Sequence, residues 1–110
     1  MTTTQALNLK YFKTIGLVNN QPTGRGFANP VDLAVSKDGR ILVLNRGAPI
    51  FTRVGVCNLD EDYLYEIGAL GDDEGQFRLP TALALDGRER VFIADEHNHR
   101  INVFDLSGKY

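Results

Sequence analysis

One stretch of this chain occurs twice, and that constrains its fold more than any other feature. Residues 24–45 read GRGFANPVDLAVSKDGRILVLN, and residues 74–95 read EGQFRLPTALALDGRERVFIAD. Laid over one another without a gap, Phe27 falls on Phe77, Pro30 on Pro80, Leu33 on Leu83 and Ala34 on Ala84. Ile41-Leu42-Val43 falls on Val91-Phe92-Ile93, Asn45 on Asp95, and Gly26 near Gly75. The loop after Asn45 is three residues longer than the loop after Asp95; beyond it Arg53-Val54 matches Arg100-Ile101. The lead-ins match as well, YFKTIG at 11–16 and YLYEIG at 63–68. A repeat of this period marks a supersecondary unit that buries its apolar faces by stacking on its neighbours.

The unit itself is built of strands. Val31, Leu33 and Val35 alternate with Asp32 and Ala34, a period of two. Ile41–Leu44 and Val91–Ala94 are continuous apolar runs, as in strands covered on both faces. Turn residues separate the runs at Lys37-Asp38-Gly39, Asp60-Glu61-Asp62, Asp86-Gly87 and Ser107-Gly108. No stretch carries the pattern of a helix of ten or more residues. Each unit therefore reads as a four-stranded antiparallel meander, with strands a to d at 31–35, 40–45, 53–59 and 63–67 in the first unit. The second unit has a to c at 81–85, 90–95 and 100–105 and lacks strand d. A lone outer strand of the d type is expected at 10–15, after a lead-in at 1–9. One domain is expected for 110 residues, with 24–68 as the first repeat and 75–110 as the second.

Repeats of four short strands at this spacing point to an all-β fold made of β-propeller blades. The second unit resembles the NHL repeat through Gly75, Phe77, Pro80, Leu83, Ala84, Asp95, Asn98, His99, Arg100, Ile101, Val103 and Phe104. The first is a degenerate copy, with Asn45 for the aspartate and RGAPIFTR for the Asn-His-Arg turn. The resemblance implies a ring of about six blades. It leaves function open among interaction scaffolds, RNA binders, extracellular sensors and metal-dependent lyases. Two blades do not close a ring, so two arrangements are expected. Either the chain is part of a longer propeller, or three copies assemble into one, with strand 10–15 pairing against strand 100–105 of the same chain or a neighbour.

The candidate sites are modest. His97 and His99 could ligate a metal or carry protons, but zinc needs three or four ligands and no other histidine exists. The expected role of Asn98-His99 is a turn in which Asn adopts left-handed backbone and His caps it. Asp95 and Arg100 flank this turn and are expected to pair across it as a structural ion pair. The acidic run Asp72-Asp73-Glu74 lacks the spacing of a calcium loop. The glycine-rich stretch 23–27 leads into a strand, with no helix N-terminus to hold phosphate. Cys57 is expected to be a buried, inert thiol.

In an up-and-down meander, alternate turns share an end. The d–a and b–c connections therefore lie together and form the expected binding face, with Arg25, Arg46, Ile50, Phe51, Glu96, His97 and His99 as its candidates. The expected function is a protein-binding or scaffolding module without catalysis or cofactor; its partner is an unnamed protein or small molecule. The alternative is the N-terminal part of a six-bladed lyase or lactonase. A formal net charge of −2 with no basic block argues against nucleic acid and anionic membranes. With no signal-like head and no apolar run of membrane length, the expected location is cytoplasmic.

Overall fold

The computed structural model describes residues 9–16, 26–47 and 51–110. Nine strands and no α-helix are found among them. β1 (Pro30–Val35), β2 (Ile41–Asn45), β3 (Arg53–Cys57) and β4 (Tyr63–Ile67) form one antiparallel meander in chain order. β5 (Ala69–Leu70) and β6 (Gln76–Phe77) make a short parallel pair within the connection between repeats. β7 (Pro80–Leu85), β8 (Val91–Asp95) and β9 (Arg100–Phe104) form the second meander, in the order β7-β8-β9. The fold is thus all-β, as the repeat implies, with blade-like sheets.

The two meanders agree in detail. β1 pairs with β2 and β7 with β8 in the same register, Leu33 opposite Val43 and Leu83 opposite Ile93. Both pairings are interrupted at the same place, between Pro30 and Asp32 and between Pro80 and Ala82. A proline has no N–H to give to the ladder, so it suits the first position of a strand beside a bulge. The a–b turns close alike. Ser36 N–H donates to Arg40 O and Gly39 N–H to Ser36 O; Asp86 N–H donates to Arg90 O and Glu89 N–H to Asp86 O.

Period two sends the side chains of each sheet to opposite faces. Leu42, Leu44, Val54, Val56 and Ile67 leave the first sheet toward the second, all buried. Leu83, Val91, Ile93 and Phe104 meet them, with Phe77 filling the middle. Phe77 stands edge-on to Phe104, centroids 6.5 Å apart at 88°. This junction is the core, and β1 lies beside β7 across it. Polar groups clasp its margins. Leu83 N–H donates to Asp32 Oδ2 at 2.8 Å, and Lys37 N–H to Glu89 Oε1 at 3.1 Å. Arg40 Nη1 donates to the Tyr65 hydroxyl at 2.9 Å, which in turn donates to Leu106 O.

One expectation about the strands needs correction. Residues 10–15 form no strand. β9 lies at the end of its sheet within one chain, and the segment instead stays with the first blade. Lys13 Nζ donates to Leu59 O and lies 3.9 Å from Glu61 Oε2. The parallel pair β5–β6 was not expected, because two-residue strands leave no periodic trace. The pair forms because the connection doubles back under Phe77, whose ring would lie 2.3 Å from a Cβ placed on Gly68. Only glycine allows that approach, and its φ of +75° favours glycine independently.

Candidate functional site

The connection between repeats and the turn after β8 meet at one end of the second sheet. Asp95, the last residue of β8, is buried and turns its carboxylate toward the connection. Its Oδ2 accepts from Arg78 N–H at 2.9 Å, and its Oδ1 accepts from Leu79 N–H at 3.0 Å. Asn98 adds a side-chain bond, Nδ2 to Oδ2 at 2.9 Å, and its own N–H approaches Oδ1 at 3.5 Å. Burial pushes the Asp95 carboxyl up, but the N–H groups of Leu79, Arg78 and Asn98 outweigh it and hold the group below the usual carboxylate range.

Arg100 faces Asp95 across the β8–β9 ladder. The expected ion pair between these side chains is not found, because each takes other partners from the same connection. Arg100 Nη2 donates to the carbonyls of Asp72, Asp73 and Gln76 at 3.0, 2.8 and 3.0 Å. Asn102 Nδ2 joins it on Gln76 O at 2.9 Å. So Asp95 collects the donors of the connection and Arg100 its acceptors. Asp72 then closes the outside through Arg78, with Nε to Oδ1 at 2.8 Å and Nη2 to Oδ2 at 3.1 Å. That bond lowers the Asp72 carboxyl. The acidic run is part of a brace, with the carbonyls of Asp72 and Asp73 and the Asp72 carboxylate engaged.

The turn 96–99 projects beyond this brace. Glu96 N–H donates to Leu79 O at 3.0 Å, tying the turn to the connection. His99, and not Asn98, carries the left-handed backbone, with φ of +52°. Asn98 is the capping side chain, reaching Asp95 and Gly71 O. The expected roles of the two residues are therefore exchanged. Glu96, His97 and His99 are exposed. On the first repeat, Arg46 and Phe51 are half-buried, and Arg46 N–H donates to Asn29 O at 3.0 Å. Phe51 packs on Gly47, where an added Cβ would lie 3.0 Å from its own. Arg25 and Ile50 lie outside the described residues. Among the described residues no three His, Cys, Asp or Glu side chains come together as metal ligands would. Cys57 is buried, and burial raises its thiol.

Sequence reasoning passed over Asn102 and Gln76, and placed Asn98 in the turn without its bond to Asp95; the three hold the corner together. The signal for Asn98 was its place three residues after a strand-terminal aspartate, the spacing of an Asx-type cap. Asn102, an amide within an apolar strand, was the other visible hint.

A family profile described as NHL repeat matches residues 77–104, the stretch from Phe77 through β9. The human NHL repeat-containing protein 3 is 33% identical over 79 residues, covering 72% of this chain and 23% of that protein. The Caenorhabditis elegans B-box type zinc finger protein ncl-1 is 42% identical over 48 residues, 44% of this chain and 6% of that protein. Protein brain tumor of Drosophila melanogaster is 38% identical over 48 residues, 44% of this chain and 5% of that protein. The aligned stretches thus span less than a quarter of these relatives.

Proposed function

The chain belongs to the NHL-repeat family, and from that premise we propose that it is a protein-binding module whose contact surface is the braced loop end. One observation carries this. The inward side chains of the corner, Asp95, Asn98 and Arg100, are engaged in fixing the loops. The outward ones, Glu96, His97 and His99, are exposed. A loop held by its backbone loses little freedom on binding, so its exposed side chains offer affinity at low entropic cost. Arg46 and Phe51 extend the surface over the first repeat. The family match supports the same reading: it recurs as a small part of proteins with otherwise different names.

The test is a photo-crosslinking capture with the full chain, followed by direct binding of each captured protein. Glu96→Lys, a His97→Ala/His99→Ala pair and Phe51→Ala are each expected to abolish or weaken a genuine interaction. Asp60→Ala, on a c–d turn at the opposite end, is expected to leave it intact. A lyase or lactonase turnover that depends on a stoichiometric metal and is lost in the double histidine variant would overturn the proposal.

A further inference from the structure

The repeat equivalence identifies what the two outer faces of this molecule are. Inside the chain, the first sheet meets the second through Leu42, Leu44, Val54 and Val56. The matching positions of the second repeat are Phe92, Ala94, Ile101 and Val103, and they lie on its outer face. Ile101 is 64% exposed. The second sheet meets the first through Leu83, Val91, Ile93 and Phe104. Their counterparts Leu33, Ile41, Val43 and Cys57 lie on the outer face of the first repeat, around an apolar hollow of about 350 Å³. Leu33 is 59% exposed. The exposed surfaces are therefore the two complementary halves of a junction that the chain already forms once within itself.

A second observation concerns the edge. In the first repeat β4 pairs with β3, Ile67 opposite Val54 and Tyr65 opposite Val56. The lead-in YFKTIG aligns with β4, yet residues 11–15 join no strand ladder among the described residues, and Tyr11 and Phe12 are 76% and 83% exposed. β9, the counterpart of β3, ends its sheet with one side unpaired among the described residues. Transferring the β3–β4 register sets Ile15 opposite Ile101 and Lys13 opposite Val103.

We propose that copies of this chain associate head to tail, the β8–β9 face of one copy docking on the β1–β2 face of the next, while residues 11–15 of the second copy add as a fourth strand along β9 of the first. Both features call for the same partner in the same orientation, and a second copy supplies both. Because the two faces differ, the contact is heterologous and continues past two copies until the ends meet. Ala82 stands where Asp32 clasps Leu83 N–H at the internal junction. The contact between copies lacks that bond and dissociates on dilution. The loop end stays outside it, so this inference stands or fails separately from the binding function.

Sedimentation of the full chain across a concentration series tests it, with Leu33→Asp and Ile101→Asp as variants. Both positions are exposed, and a cooperative thermal melt, matching the parent's at a concentration where the parent is dissociated, establishes that each variant is folded. Val35→Asp and Val103→Asp repeat the experiment at neighbouring positions. The parent is expected to reach a mass above two copies. Each variant alone is expected to sediment as one copy. The equimolar mixture is expected to stop at a one-to-one pair, since each variant keeps the face that the other has lost. A parent that remains a single copy at every concentration overturns the proposal. So does assembly that survives either variant, or a mixture that fails to pair.

Discussion

The two repeats share one backbone frame and differ at the corner where β2 meets β3 and β8 meets β9. Asn45 faces Arg53 across one ladder as Asp95 faces Arg100 across the other. Arg46 N–H reaches Asn29 O as Glu96 N–H reaches Leu79 O, both at 3.0 Å. The side chains do opposite things. Asp95 accepts from the backbone of Arg78 and Leu79. Asn45 turns the other way, donating from Nδ2 to Val43 O and Arg53 O, while its buried Oδ1 finds no partner among the described residues. Arg100 holds carbonyls of the connection, whereas Arg53 lies 3.2 Å from Glu66 Oε2 on β4. The ladder and one backbone bond define the frame; the carboxylate is an added clamp that only the second repeat has. Such a frame tolerates loop changes without losing its blade.

The largest test of that difference is at the aromatic plug. Phe77 is fully buried between the two sheets, while its counterpart Phe27 is half-buried against Gly16 and Gly55. Phe77→Ala should lose about 4 kcal/mol in urea unfolding, the usual loss for a buried ring. Phe27→Ala should lose about 1–2 kcal/mol, in keeping with partial burial. Equal losses at dilute concentration would mean that the repeats are equally packed and would break the comparison.

The corner itself comes next. Asp95→Ala strands three backbone donors, the N–H groups of Arg78, Leu79 and Asn98, and should cost about 3 kcal/mol. The reciprocal change is the sharper one. Asn45→Asp makes the first repeat resemble the second in sequence, yet it should destabilise by about 2 kcal/mol, because the new carboxylate would face two carbonyl oxygens. The Asp95 carboxyl is lowered in the folded chain. Its stabilisation is therefore present above the unfolded value of about 3.9 and is lost as pH falls through the folded value. Unfolding followed from neutral pH into the acid range should show that loss in the parent, and a shallower one in Asp95→Asn.

How much of this was legible follows from the same residues. Strands such as Ile41–Asn45 and Val91–Asp95 were readable because period and burial act locally, and the repeat supplied their order. The meeting of connection 68–79 with turn 96–99 at one end of the second sheet was readable too, since it follows from up-and-down topology. The partners of Asp95 were not. Ladder adjacency brings Asp95 and Arg100 together, but the N–H groups of Arg78 and Leu79 reach the carboxylate only through the fold-back of 68–79. That fold-back rests on Gly68 and Phe77, nine residues apart, and leaves no period. Likewise, a d-type sequence at 11–15 announced a strand whose pairing edge the same chain does not present to it.

The smallest expected effect lies at the a–b turns and explains a residue that breaks the local rule. Gly39 and Glu89 hold equivalent positions, both left-handed, at φ +87° and +58°. Gly39 has open space around it, so Gly39→Ala has no steric component and should cost about 1 kcal/mol from backbone conformation alone. Glu89 bears that backbone cost and is useful in another way, since its Oε1 accepts Lys37 N–H from the first repeat. Glu89→Gly relieves the backbone but removes this clasp, so the net change should stay within about 0.5 kcal/mol. Glu89→Ala loses the clasp without the relief and should be the less stable of the two. If Glu89→Ala and Glu89→Gly unfold alike in urea, the left-handed turn carries no strain. In that case the asymmetry between the two turns reduces to the bond with Lys37.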